Sequence, residues 1–308
     1  MSTTAAIERL RPTLREGAER VDAGAFPSGN LAALAEAGLT GLARPGAGGI
    51  RTAALTVQEV ARECASTAMV LCMHLSAAVV VEAHGDEATR EDMARGRLLG
   101  TLAFSEAGSR SHFWAPVSTA ARTEGGVRLH ARKSWVTSAT HADVYVWSSR
   151  PVEAEGASTL WLVPADAHGL DVKGLFDGLG LRGNDSSPVH AEGVLVPESA
   201  RLGVDGGGFA VMMEAVLPWF NLMSAGCSLG IAEAATEAAV AHCSGTRHAH
   251  TDSALRDLPT IRSYLARMRC KTDAGKALLL DGLSAVEQGR PDAMLRVLQC
   301  KAVAAETA

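Results

Sequence analysis

Chemistry could reside in three places in this sequence. Gly178-Leu-Gly180-Leu-Arg-Gly183 matches the G-x-G-x-x-G pattern, whose glycines let a backbone approach a dinucleotide pyrophosphate. That use needs a strand before the glycines and a helix after them. Here Asn184-Asp-Ser-Ser-Pro188 and a strand-like run follow, so the match reads as a loop. His242, His248 and His250 are of a metal-ligand type, but no carboxylate or cysteine stands at ligand spacing. They read as solvated loop histidines, and no metal site is expected. Six cysteines (64, 72, 227, 243, 270, 300) show no C-x-x-C and no paired spacing, so buried, reduced thiols are expected. The sequence has neither a G-x-S-x-G elbow nor a phosphate loop.

The elements that must position any site fall into three blocks. Residues 1–98 read as an N-terminal α-helical domain. Leu31, Leu34, Ala35 and Leu39 share a face, Gly38 and Gly41 end it, Thr56 to Cys64 forms another helix, and 67–82 is apolar on all sides. Residues 99–204 change texture. Val127–Ala131, Val144–Trp147, Thr159–Val163 and Val194–Val196 are short strand-like runs separated by Gly, Pro, Asp and Ser, which predicts an antiparallel β-barrel or sandwich, with a barrel preferred. Helical periodicity returns in 205–308, from Phe209 to Ala241 and from Leu258 onward. The sequence stops within a helical run at Ala305-Glu-Thr-Ala308, so a truncated C-terminal helical bundle is expected. Helices, then strands, then helices make an α+β fold rather than a βαβ alternation.

Composition narrows the function. With 47 % hydrophobic and 20 % charged residues the 308-residue chain is globular. A net charge of −5 and no Lys/Arg run longer than two argue against nucleic acid or an anionic membrane as partner. The N-terminus reads as an amphipathic helix rather than a signal peptide. The apolar stretch Met69–Val81, interrupted by His74, is too short to span a bilayer, so a cytoplasmic location is expected.

Three ordered segments resemble the acyl-CoA dehydrogenase superfamily. Phe104-Ser-Glu-Ala-Gly-Ser-Arg-Ser-His112 is similar to the family's Thr-Glu-Pro-x-x-Gly-Ser-Asp stretch. Lys133-Ser-Trp-Val-Thr-Ser-Ala139 followed by Ala142-Asp143 resembles Lys-x-Trp-Ile-Thr-Asn-x-x-x-Ala-Asp. Gly180-Leu-Arg-Gly-Asn-Asp-Ser186, leading to Val194-Leu-Val-Pro197, resembles Gly-x-Arg-x-Ser and the strand that ends in Val-Pro. Pro45 with Gly48-Gly49 also falls where members carry Pro-x-x-x-Gly-Gly. The resemblance implies a flavin site. A flavin accepting a hydride builds negative charge along N1–C2=O and needs N5 free, and backbone donors and hydroxyls near the ring serve this. By resemblance, Phe104 and Ser105 contact the pyrimidine edge, Trp135 packs on the isoalloxazine, Thr137 approaches N5 with Ser138 beside it, and Ser111 faces the phosphate or thioester end. Seen alone, Trp135 reads equally as barrel core, and Ser105 and Thr137 as β-surface hydroxyls. Arg110 and His112 stand where the family has Gly and Asp, and His112 reads either as a pocket residue or as a surface loop histidine.

The sequence also departs from the pattern. The position matching the family's α-proton-abstracting glutamate is Phe220, which cannot take a proton, and Glu214 lies more than a helical turn earlier. The other place for a base would lie past Ala308. Members hold the adenosine diphosphate half with Arg-x-x-Phe from a neighbouring subunit; here Arg247-His-Ala-His-Thr251 keeps the arginine and lacks the aromatic, which leaves FAD or FMN open. The leading expectation is α,β-desaturation of an acyl-CoA or carrier-bound acyl group with hydride transfer to FAD, an electron acceptor completing the cycle. A flavin monooxygenase of the same fold, using O2 and reduced flavin from a partner reductase, and a non-catalytic truncated homologue are the alternatives. A homodimer or homotetramer is implied by the resemblance.

Overall fold

The computed structural model describes residues 3–110, 112–248, 250 and 252–308. Among the described residues, six α-helices open the chain: α1 Thr3–Glu16, α2 Ala18–Asp22, α3 Ser28–Glu36, α4 Gly49–Glu63, α5 Ala65–His84 and α6 Glu87–Ala94. The apolar run expected over 67–82 is α5, buried along most of its length. At 20 residues it is long and apolar enough to cross a membrane, as is the Gly208–Gly245 helical stretch, but both are largely packed inside the protein.

Among the described residues, eight strands follow: β1 Gly100–Ala103, β2 Thr119–Thr123, β3 Gly126–Val136, β4 Val144–Ser149, β5 Thr159–Pro164, β6 Leu170–Val172, β7 Ser187–Val196 and β8 Arg201–Leu202. They form two four-stranded sheets, ordered β1-β4-β5-β8 and β2-β3-β7-β6. The expected closed barrel is therefore corrected to two separate sheets. The reason lies in the edges: β8 has two residues and β6 three, too few backbone pairs to carry a ladder around into closure. The pairing is antiparallel as expected except for β1 with β4, which run parallel. The inward faces of both sheets share one core, including Val127, Leu129, Tyr145, Trp147, Trp161 and Val194.

The chain returns to helix at α7 Gly208–Val211, passes through a π-helical turn at Met212–Val216, and continues as α8 Leu217–Gly245. A small hairpin, β9 Arg247–His248 with β10 Ser253–Ala254, precedes α9 Pro259–Glu287 and α10 Ala293–Thr307. The long C-terminal run is thus two helices, separated around Gly289, which takes a positive φ. Residues of α1, α4, α5, α8, α9 and α10 make one helical core. Close approach of α8 to α4 depends on Gly226 and Gly230, where an added Cβ would stand 2.6 Å from the Ala54 carbonyl and 2.2 Å from that of Gln58. All six cysteines are free; Cys64, Cys72, Cys227 and Cys300 are buried as expected, whereas Cys270 is exposed because its position on α9 faces outward.

Candidate active site

A bulge in β3 creates the site. Lys133 pairs with Val189 and Val136 with Ser187, so Ser134 and Trp135 together oppose Pro188. Proline has no N–H to offer a ladder, which makes this the place where pairing is given up at least loss. The Ser134 amide instead donates to the Ser105 carbonyl at 2.9 Å, and the Ala107 amide donates to the Arg132 carbonyl at 3.2 Å. The segment after β1 is thereby stitched to β3. Trp135 takes a left-handed φ of 57° and its side chain is 71 % exposed. A large ring held outward in a conformation that costs about 1–3 kcal/mol is a feature that cores do not select and ligand sites do.

Behind that surface lies a buried ion pair. Lys133 follows the inward alternation of Val127 and Leu129, so its side chain enters the sheet core. Its Nζ donates to Glu106 Oε1 at 2.5 Å, to the Ser148 carbonyl at 2.7 Å and to Ser148 Oγ at 2.9 Å, and lies over the Trp147 ring. Glu106 also accepts from Ser118 Oγ and from the amides of Val117 and Ser118. Burial alone would raise the Glu106 pKa, but the Lys133 charge and these donors outweigh it and hold the carboxyl below its ordinary range. Burial pushes Lys133 down to about 8 against the pull of Glu106, so both groups stay charged at neutral pH. Since Ser105 and Ser134 directly neighbour Glu106 and Lys133, the pair fixes the spacing of the two segments that carry the site.

The front of these segments opens on a cleft of about 160 Å³. One side is Phe104, Ser105, Ser134 and Trp135; Met73 of α5, Leu102 of β1 and Phe113 form the apolar wall; Val216, Leu217, Phe220 and Asn221 close it from the π-turn and the start of α8. Spacings of one, four and five from Val216 put this last group on one helical face, and a π-turn at a helix start is a frequent mark of functional sites. A second device ties α5 to β1. His74 Nδ1 accepts from the Gly100 amide at 3.2 Å, which leaves Nε2–H to donate to the Thr40 carbonyl at 3.3 Å. Burial lowers the His74 pKa to about 4, so the ring is neutral.

Of the residues singled out from sequence, Phe104, Ser105, Trp135 and Phe220 meet in this cleft. Thr137 and Ser138 lie just past the bulge, buried, and do not line it: Thr137 Oγ1 is 3.2 Å from Ser186 Oγ, and the Ser138 amide donates to the Asn184 carbonyl at 2.8 Å. Arg247 stands in the β9–β10 hairpin, away from the cleft lining, and pairs with Asp252. His112 packs near Trp114 at 5.1 Å between ring centres and also stays outside the lining. Ser111 lies outside the described residues. Glu214 is exposed on the π-turn. The described lining therefore holds no ionisable side chain. Sequence reasoning missed Glu106 with Lys133, and it missed Asn221. A lysine at an inward position of an alternating strand was a readable signal for the first; an amide on a helix offers none for the second.

The chain matches the acyl-CoA dehydrogenase N-terminal domain over residues 4–98, the middle domain over 101–194 and the C-terminal domain over 206–308. It is 29 % identical over 243 residues to benzylmalonyl-CoA dehydrogenase of Aromatoleum aromaticum, a match spanning 76 % of this chain and 63 % of that protein. It is 26 % identical over 297 residues to acryloyl-CoA reductase (NADH) of Anaerotignum propionicum, spanning 92 % of this chain and 74 % of that one. Among solved structures, butyryl-CoA dehydrogenase from Megasphaera elsdenii superposes with a TM-score of 0.86 at 23 % identity, covering 99 % of this chain and 82 % of that chain. An FAD complex of PigA superposes with a TM-score of 0.87 at 18 % identity, with the same coverage. Two helical domains flanking paired β-sheets, matched in order by all three domains of one family, assign the chain: it belongs to the acyl-CoA dehydrogenase family, whose members are flavin oxidoreductases.

Proposed function

We propose that this chain binds FAD and oxidises an acyl thioester, α,β-desaturation being the reaction. The observation that carries the reading is the cleft where exposed Trp135 stands beside Phe104–Ser105 and opens onto apolar residues of α5 and α8. The residues suit the cofactor: a bare indole offers a stacking face, and the Ser105 and Ser134 hydroxyls line the same opening. When bound, a flavin supplies a two-electron acceptor for a hydride. The Phe104–Ser105 and Ser134–Trp135 segments would hold its ring, and Thr137, Ser138 and Arg247 are proposed as further contacts on the strength of the family resemblance. Met73, Leu102, Phe113 and Phe220 would exclude water and hold an acyl chain. That homologues include acyl-CoA dehydrogenases, and that a structural neighbour is an FAD complex, supports FAD over FMN. Outward-facing Leu280, Met294, Leu295 and Leu298 on α9 and α10 support a homo-oligomer.

Abstracting an α-proton requires a base, and the described lining supplies none. The desaturase reading therefore draws its base from outside these lining residues. The same observation favours a second reading, a flavin monooxygenase of this fold fed by a reductase, because that chemistry needs no α-proton acceptor. Purified protein reconstituted with FAD separates them. Anaerobic loss of the yellow flavin colour on adding butyryl-CoA supports desaturation. Turnover only with a flavin reductase and O2 supports the second reading. Failure to retain FAD at all rejects both.

A further inference from the structure

Asn221 is 6 % exposed, lines the inner wall of the cleft, and makes no side-chain hydrogen bond among the described residues. Its neighbours on that wall, Val216, Leu217, Phe220 and Met73, offer it no polar partner. The Asn221 carboxamide is not sealed from solvent: it meets the water of the cleft, which a ligand entering there would displace. Asn221 thus lines space that a ligand would fill. Resting on the proposed acyl-thioester reading, we propose that Asn221 selects the substrate: the acyl group carries an uncharged hydrogen-bonding substituent, such as a hydroxyl or an amide, that pairs with the Asn221 carboxamide.

Two features define the class. A plain alkyl chain would cover the carboxamide and strip it of water without replacing the lost hydrogen bonds, so it binds poorly. A carboxylate or ammonium would enter a cleft whose described lining has no counter-charge, so charged acyl groups are disfavoured as well. What remains is an acyl group of mixed character: apolar enough for Met73, Leu102 and Phe113, and polar and neutral where it meets α8. Phe220 and Asn221 then act together, the first excluding charge and water, the second reading a hydrogen bond.

The test uses the FAD-reconstituted full chain and four probes: butyryl-CoA, 3-hydroxybutyryl-CoA, 4-hydroxybutyryl-CoA and glutaryl-CoA. Binding is followed through perturbation of the flavin visible spectrum. The expected result is that at least one hydroxy probe binds about 10- to 100-fold tighter than butyryl-CoA, with glutaryl-CoA weakest. Asn221→Leu should abolish that preference while FAD affinity stays as in the parent protein. Equal binding of the butyryl and hydroxybutyryl probes by the parent overturns the proposal, with no variant needed. So does an Asn221→Leu protein that keeps the preference, or one that loses FAD affinity about tenfold with discrimination unchanged, since the amide would then serve the cofactor. Absence of FAD binding in the parent would instead reject the proposed function on which this rests.

Discussion

Replacing Lys133 by methionine probes the support beneath the cleft. The side chains are similar in length, so the main change is the loss of one charge and three donated hydrogen bonds, to Glu106, the Ser148 carbonyl and Ser148 Oγ. Glu106 keeps Ser118 and two backbone amides but loses its counter-charge while buried. Breaking a buried pair from one side costs about 3–5 kcal/mol. The deficit should depend on pH in a defined direction. Without Lys133 the chief influence that lowers the Glu106 pKa is gone while burial still raises it, so relative to the parent the variant recovers stability as the pH falls and the carboxyl takes a proton. The gap from the parent is therefore larger at pH 8 than at pH 5. The double variant Lys133→Met with Glu106→Gln removes both charges and should regain about half or more of the loss. Urea unfolding of the four proteins in a double-mutant cycle measures this. A single-variant loss under about 1 kcal/mol, or a double variant as unstable as the sum of the singles, would refute the view that the pair holds Ser105 against Ser134.

His74, neutral with a pKa of about 4 against an ordinary 6.5, takes up its proton more readily in the unfolded chain. Its contribution is complete above about pH 6.5 and is lost as the pH falls toward 4, amounting to about 2 kcal/mol between pH 7 and pH 4.5. Chemical denaturation across that range should show a shallower decline in His74→Gln than in the parent, and parallel slopes would count against it. Gly230→Ala forces a methyl to within 2.2 Å of the Gln58 carbonyl and should destabilise by about 2–3 kcal/mol, whereas Gly245→Ala, with open space around it, should change stability by under about 1 kcal/mol. Thermal unfolding of the two variants decides, and equal effects would mean that α4 and α8 are not in close backbone contact.

Some of this architecture was legible in the sequence. The switch from helical to strand periodicity near residue 99 and back after Gly206 set the α+β order, because burial on one face imposes its own period on each element. The short strands β6 and β8 were not legible: two or three residues carry no period, and their pairing depends on partners far along the chain. Hence two open sheets looked like a barrel. For the site, the family likeness singled out Phe104, Ser105 and Trp135 as flavin contacts and Phe220 as the position of the family's base, and these four line one cleft. Why Trp135 faces outward could not be read locally, since it follows from a bulge opposite Pro188, 53 residues away in the chain. Asn221 was invisible for a similar reason: an amide on a helix is unremarkable until its neighbours are known to leave it unpaired.

The central claim is that a flavin ring rests against Trp135 in this cleft. Titrating FAD into apoprotein and following its visible absorbance tests it most directly, comparing Trp135→Ala with Leu195→Ala, an exposed residue outside the lining. Loss of ring stacking should weaken FAD binding about tenfold or more in Trp135→Ala. Leu195→Ala should bind like the parent, and Tm should change little in either variant because both side chains are exposed. Identical FAD affinity for the parent and Trp135→Ala would contradict the account.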